Sequence, residues 1–205
     1  MFITFEGIDF CGKSTQIDLL KDYLVEKKKK VEVIREPGGT EISEKIRTLL
    51  LDNKIENMYR ETELFLFASS RAQLVREKIR PYLEKGFYVI SDRYHDSSTA
   101  YQGYGRGIPI DEIQNVHNLT IGSTLPDITF YIDIPVGVAN ERKKKKLKGK
   151  LDRIELGDMD FYNRVRSGYL EIARKEARVK IIDGTQTIET INNQIISEFE
   201  IIEAR

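Results

Sequence analysis

Phe2-Ile3-Thr4-Phe5-Glu6-Gly7-Ile8-Asp9-Phe10-Cys11-Gly12-Lys13-Ser14 is the stretch that decides the fold. It opens with a short apolar run of the kind buried on both faces of a parallel sheet. From Gly7 to Ser14 it fits G-x-x-x-x-G-K-[ST] in full, and helical spacing follows from Ser14 to Lys27. Strand, glycine-containing turn and helix form the context in which this motif cradles phosphate. The turn lets successive backbone N–H groups face phosphate oxygens, and the helix N-terminus adds its positive end. Lys13 supplies a mobile cation for terminal phosphates, and the Ser14 hydroxyl suits Mg²⁺.

Four more β-type runs lie outward from this element: Val31 to Ile34, Phe87 to Ile90, Ile128 to Ile132 and Val179 to Ile182. Helical spacing fills Glu61 to Lys85, with Leu64, Phe67, Val75, Ile79 and Leu83 on one side, then Met159 to Arg178 and Ile188 to Glu200. Alternating strands and helices predict an α/β fold around a parallel sheet, with ligands beyond the carboxyl ends of the strands. No internal repeat or Gly/Ser/Pro linker interrupts the 205 residues (23.8 kDa), which read as one domain, 1–205. Apolar residues make up 40%, enough for a substantial core.

Thirty-three basic residues balance thirty-three acidic ones, which argues against a general nucleic-acid coat. A single cysteine cannot form an internal disulfide, and no apolar stretch approaches the ~18–20 residues of a membrane span. Met1 leads straight into a strand-like run without the features of a signal peptide. These readings predict a soluble, cytoplasmic protein. Of two lysine runs, Lys27 to Lys30 reads as a solvated helix end. Lys143 to Lys146, within the basic segment Arg142 to Arg153, reads either as a helix end or as a mobile cationic loop.

A second motif is Phe87-Tyr-Val-Ile-Ser-Asp92-Arg93-Tyr94, a buried strand ending in an acid. That is the layout of a Walker B element, whose carboxylate holds Mg²⁺ or its water shell. Arg93 either pairs structurally with the acid or offers its fork of donors to a second phosphate group. Phe67 and Arg71 stand four apart and share a helix face. They either belong to the core or stack on a planar base and bond its edge.

Taken together, the chain resembles bacterial thymidylate kinases, P-loop nucleoside monophosphate kinases that phosphorylate dTMP with ATP. The resemblance rests on Phe5-Glu-Gly-Ile-Asp9 with the P-loop, Arg35-Glu-Pro-Gly-Gly-Thr40, Phe65-Leu-Phe-Ala-Ser-Ser-Arg71, Asp92-Arg-Tyr-His-Asp-Ser-Ser-Thr-Ala-Tyr-Gln102, Leu151-Asp-Arg-Ile-Glu155 and Ile182-Asp-Gly-Thr185. It implies a five-stranded parallel sheet flanked by helices, a mobile lid near 142–157 and a homodimer. It further implies that Phe67 stacks on thymine, that Arg71 bonds the base edge, and that Ser98 and Gln102 face the base. Tyr101 would lie under the sugar and favour deoxyribose. Arg47 and Arg93 would bind the dTMP phosphate, Glu36 and Pro37 would shape the pocket, and Asp9 would hold the 3′-hydroxyl side or the metal region. ATP would lie on Gly7, Ile8, Asp9, Phe10, Cys11, Gly12, Lys13, Ser14 and Thr15, with Mg²⁺ on Ser14 and Asp92. Lys13, Asp9, Arg93 and a lid cation would form the catalytic set.

Two positions depart from the family pattern. Phe10 cannot replace the arginine that some members place there, so the duty falls on the lid. Arg153 is the expected lid cation, with Lys148 and Lys150 behind it, while Arg142 is expected against adenine with the Asp183 to Gln186 loop. Cys11 inside the P-loop reads either as a reactive thiolate or as a small shielded filler. Rival readings are a deoxynucleoside kinase, which needs a catalytic base near Asp92, a GTPase switch, for which Asn53-Lys-Ile-Glu56 imitates a guanine-reading motif, and a nucleic-acid-binding ATPase. His95 and His117 show no metal-ligand spacing and receive no role.

Overall fold

The structure is a computed structural model that describes residues 1–146 and 151–204. Five strands form one parallel sheet in the order β2-β3-β1-β4-β5: β1 (Phe2–Glu6), β2 (Val31–Arg35), β3 (Tyr88–Asp92), β4 (Ile128–Asp133) and β5 (Val179–Asp183). All five predicted runs are strands, each reaching one or two residues further towards its carboxyl end. The extra residues are polar or charged (Glu6, Arg35, Ser91 and Asp92, Asp133, Asp183), which hydrophobicity alone could not assign to a strand. They carry the sheet into the site.

Helices α1 (Lys13–Glu26), α2 (Glu41–Leu51), α3 (Arg60–Leu74), α4 (Arg80–Glu84), α5 (His95–Ser98), α6 (Ile110–Thr120), α7 (Val136–Lys146), α8 (Met159–Lys175) and α9 (Ile188–Glu203) cover the sheet. The periodic stretch predicted over Glu61 to Lys85 is α3 and α4 joined by a π-helical turn, Val75–Ile79. Pro81 explains the interruption, because it lacks the N–H that an unbroken α-helix needs. The turn keeps Leu74, Val75 and Ile79 buried against Phe2 and Val89 of the sheet, while Leu64 joins a separate cluster with Ile108 and Ile113. A second π-helical turn, Thr99–Gly105, follows α5 and buries Tyr101 and Gln102 side by side. Such turns recur at functional sites. The main core lies between the sheet and helices α1, α8 and α9, around Phe5, Leu20, Phe130, Tyr169, Ile195 and Phe199. No helix among the described residues is long and apolar enough to cross a membrane.

Parallel register decides what meets at the carboxyl edge. Phe5 pairs with Asp92, and Arg35 pairs with Asp92 on its other side. Arg93 N donates to Phe5 O and Glu36 N donates to Asp92 O. The P-loop, Glu36 and Arg93 therefore leave the sheet side by side.

Candidate active site

Gly7 adopts φ +141°, and a Cβ there would stand 2.6 Å from the Ile132 carbonyl oxygen, so no other residue fits. Gly12, at φ +109°, caps α1 without a side-chain hydrogen bond, which leaves the first-turn amides of Lys13, Ser14 and Thr15 available to an anion. Ser14 and Thr15 are exposed at that mouth. Lys13 is folded across the loop: Nζ donates to Gly7 O (3.1 Å) and Ile8 O (3.3 Å). Phe10 takes φ +65° and lines the cleft. Cys11 is buried, with Sγ 3.7 Å from Lys13 Nζ, which is the shielded arrangement rather than the exposed reactive one. Arg142 donates to Cys11 O (3.1 Å) and Gly184 O (2.8 Å), tying the P-loop to the loop after β5.

Next to the P-loop, Arg93 holds a left-handed backbone (φ +70°), a strained conformation that surrounding contacts must enforce. Its Nη2 donates to Asp9 Oδ1 (2.7 Å) and Tyr101 OH (3.2 Å), and its Nη1 to Ser97 Oγ (3.2 Å) and Tyr169 OH (3.3 Å). Asp9 Oδ2 accepts from the hydroxyls of Tyr101 and Tyr162, each at 3.2 Å. Burial alone would raise the Asp9 pKa, but Arg93 and Lys13 hold it below the ordinary value. Arg47, from α2, reaches the same wall and donates to Pro37 O (2.8 Å). Asp92 faces the cleft with Oδ1 buried and without a hydrogen-bond partner.

At the far end, Phe67 packs against the main core and also lines the cleft. Ser98 and Gln102 line the cleft beside it. Arg71 departs from expectation. It is buried behind this wall and is not among the lining residues. Its Nε donates to Glu36 Oε2 (2.7 Å), Nη1 to Ser98 Oγ (3.1 Å) and Nη2 to Tyr94 O (3.1 Å). A guanidinium carried on α3 towards the sheet meets Glu36 before it meets the cavity. Gln102 Nε2 donates to Glu63 Oε1 (2.9 Å), which orients its carbonyl oxygen away from that partner. Glu36 Oε1 is buried and unpaired at the same wall. Together these groups line one continuous cleft of about 760 Å³, running from Arg142 and Gly184 across the P-loop to Phe67 and Gln102.

Residues 5–195 match the family model described as thymidylate kinase. The thymidylate kinase of Kosmotoga olearia is 48% identical over 200 residues, covering 97% of this chain and 95% of the relative. That of Thermosipho melanesiensis is 49% identical over 195 residues, covering 95% of each. The chain belongs to the thymidylate kinase family. A crystal structure of thymidylate kinase from Ehrlichia chaffeensis superposes with a TM-score of 0.80 at 37% identity, covering 98% of both chains. The P-loop fold expected from Gly7 to Ser14 is therefore that of thymidylate kinases, and nothing favours the deoxynucleoside kinase reading.

A second residue, after Arg71, takes a partner other than the one expected. Arg153 Nη1 pairs with Glu63 Oε2 (2.7 Å) and Nε donates to Leu50 O (2.9 Å), so it faces a second, smaller cavity with Arg60 and Arg106 and not the P-loop. The buried Glu63 carboxylate outcompetes solvent for it. Lys148 and Lys150 lie outside the described residues. From the same stretch, Lys145, Asp152, Ile154 and Glu155 flank the cleft.

Sequence reasoning passed over four site residues. Ser97, Tyr162 and Tyr169 hold Arg93 and Asp9, and Glu6 holds Ser97 and Tyr169. A signal existed for Glu6, an acid closing a run of residues that bury on both faces. Tyr162 and Tyr169 stand seven apart, hence on one helix face. His95 and His117 form an edge-to-face pair 5.2 Å apart, buried beneath Tyr94.

Proposed function

We propose that this chain transfers the γ-phosphoryl group of ATP to dTMP, giving dTDP and ADP, with the donor on the P-loop and the acceptor between Arg93 and Phe67. The observation that carries this reading is the single cleft in which an anion-binding helix mouth and an aromatic wall face the same arginine. ATP phosphates take the free amides of α1 and the Lys13 ammonium. Arg142, bridging Cys11 and Gly184, borders the adenine.

On the acceptor side, Phe67 offers a face for stacking on thymine. Ser98 and Gln102 present polar groups to its edge, and Arg71 acts through Ser98. Tyr101 lies against Arg93 with its hydroxyl on Asp9, and under the sugar it would exclude a 2′-hydroxyl and favour deoxyribose. Arg93 and Arg47 meet the acceptor phosphate, while Glu36 and Pro37 close the pocket. The attacking oxygen belongs to a phosphate that is already anionic, so catalysis rests on alignment and charge neutralisation rather than on a strong base.

Mg²⁺ fits the residues present. The unpaired Asp92 Oδ1 is an acceptor without a donor, and Ser14 stands exposed at the helix mouth. No cluster of three metal-ligating side chains occurs among the described residues, as suits an ion bound by one or two protein groups together with nucleotide phosphates. When bound, it neutralises charge on the transferring group. The lid reading of 142–157 rests on the flank formed by Arg142, Lys145 and Asp152. A homodimer through α2 and α3 rests on Ile42, Leu49 and Phe65, apolar yet exposed on those packed helices. A cytoplasmic location fits the single unpaired cysteine.

The test is ADP release with ATP and Mg²⁺ against dTMP, dUMP, UMP, dCMP, AMP, GMP and thymidine. Turnover dominated by dTMP is expected. Turnover with thymidine but not dTMP would overturn the reading.

A further inference from the structure

Glu6 is a fully buried acid at the end of the central strand, and phosphoryl transfer as described above makes no use of it. Its two oxygens do different work. Oε1 accepts from the backbone N–H of Tyr94 (2.7 Å), which is a structural contact. Oε2 accepts from Ser97 Oγ (2.6 Å) and from Tyr169 OH (2.9 Å). Those two hydroxyls lie 2.9 Å from each other, and both receive Arg93 Nη1.

Each hydroxyl carries one hydrogen and two lone pairs, and an ionised carboxylate accepts only. Without such a partner, one hydroxyl would donate to the other and turn a hydrogen or an awkward lone pair towards the guanidinium. With it, both hydrogens point at Oε2 and both hydroxyls present lone pairs to Nη1. Arg93, like Phe10, is a site residue with a left-handed backbone, and its side chain is held by more than one fixed contact. Asp9 and Tyr101 hold Nη2, and the two hydroxyls hold Nη1.

We propose that Glu6 is a positioning residue for the acceptor phosphate: by taking the hydrogens of Ser97 and Tyr169 it polarises both hydroxyls towards Arg93 and aims the guanidinium into the cleft. The inference rests on the reading that Arg93 receives the phosphate of dTMP.

Glu6→Gln separates the two oxygens. Its carbonyl can still accept from Tyr94 N–H, while its amide N–H₂ meets two hydroxyls that previously donated. Calorimetric Kd values for dTMP and for thymidine, which lacks the phosphate, are the readout, taken at about pH 8.5, where the Glu6 carboxyl, raised to about 7 by burial, is ionised. Glu6→Gln is expected to weaken dTMP about tenfold while leaving thymidine within about twofold. In an Arg93→Ala background, Glu6→Gln is expected to change dTMP affinity by less than about twofold, because the group it acts through is gone. Equal weakening of dTMP and thymidine, or a full effect that persists without Arg93, would overturn the inference. Arg93→Ala alone tests the underlying reading separately: equal loss of dTMP and thymidine removes the phosphate role of Arg93, whatever Glu6 does. Should Glu6→Gln fail to fold, the Ser97→Ala/Tyr169→Phe double variant is expected to show the same selective loss, and full retention of dTMP affinity there sinks the proposal.

Discussion

Arg71 and Arg93 each pair with a carboxylate at 2.7 Å, yet the two pairs stand in opposite surroundings. The Arg71–Glu36 side chains are 1% and 2% exposed, while those of Arg93 and Asp9 are 16% and 25% exposed. The carboxylates respond in opposite directions. Burial pushes Glu36 up despite Arg71. Burial acts on Asp9 too, but Arg93 and Lys13 together outweigh it and hold Asp9 down. One arginine against a closed wall does not offset desolvation, whereas two cations beside an open cleft do. The Arg71–Glu36 end of the cleft is thus a closed pair, whereas the Arg93–Asp9 end keeps its charges accessible from the cleft.

The largest effect should come from breaking the closed pair. Arg71→Ala leaves Glu36 buried without its cation and is expected to cost about 3–5 kcal/mol in urea unfolding. Asp9→Asn, at the open pair, is expected to cost about 1 kcal/mol or less. Similar losses at both ends would show that the two pairs do not differ in how burial acts on them. A smaller effect should follow Phe67→Ala, which removes the stacking face without touching either pair. Stacking on an aromatic ring contributes roughly 1–3 kcal/mol, so the KM for dTMP should rise about tenfold with the KM for ATP unchanged. An equal rise for both nucleotides would show that Phe67 serves only the core.

The smallest effect concerns pH. His95 and His117 lie behind Tyr94, and burial first, with nearby positive charge, drives them down to about 4 and about 2. Both are ordinarily near 6.5 in an unfolded chain. Below that pH the unfolded state takes protons the folded state refuses, so their contribution to stability falls as the pH drops from 6.5 towards 4. Glu6, pushed up to about 7 by burial and then by Asp96, acts in the opposite sense over part of that window. A variant difference cancels the Glu6 contribution. The Tm deficit of His117→Asn relative to the parent chain should therefore shrink between pH 7.5 and pH 5. A constant deficit across that range would show that His117 does not carry the acid sensitivity.

The P-loop end of the site was legible because its sequence signal is local. Gly7, Gly12, Lys13 and Ser14 act through a turn only eight residues long, and a short strand before it and a helix after it confirm the context. The same holds for Asp92 and Arg93 at the end of their strand. Alternating β runs and helical periods gave the α/β class and all five strands, since both periods are properties of neighbouring residues. The π-helical turn at Val75–Ile79 lay beyond that reasoning, because it shifts the period within an otherwise helical stretch.

The sequence by itself determined the parallel α/β class, the phosphate loop and the family to which this chain belongs. Tertiary structure alone decided which partner each buried charge takes. Arg71 turned to Glu36 and Ser98 in the cleft wall, Arg153 turned to Glu63, and Glu6 found a tyrosine 163 positions along the chain. Periodicity and motif spacing report contacts between near neighbours in the chain. The pairing of buried charges depends on desolvation and on groups brought together from distant segments, and those conditions exist only once the sheet and its helices have packed.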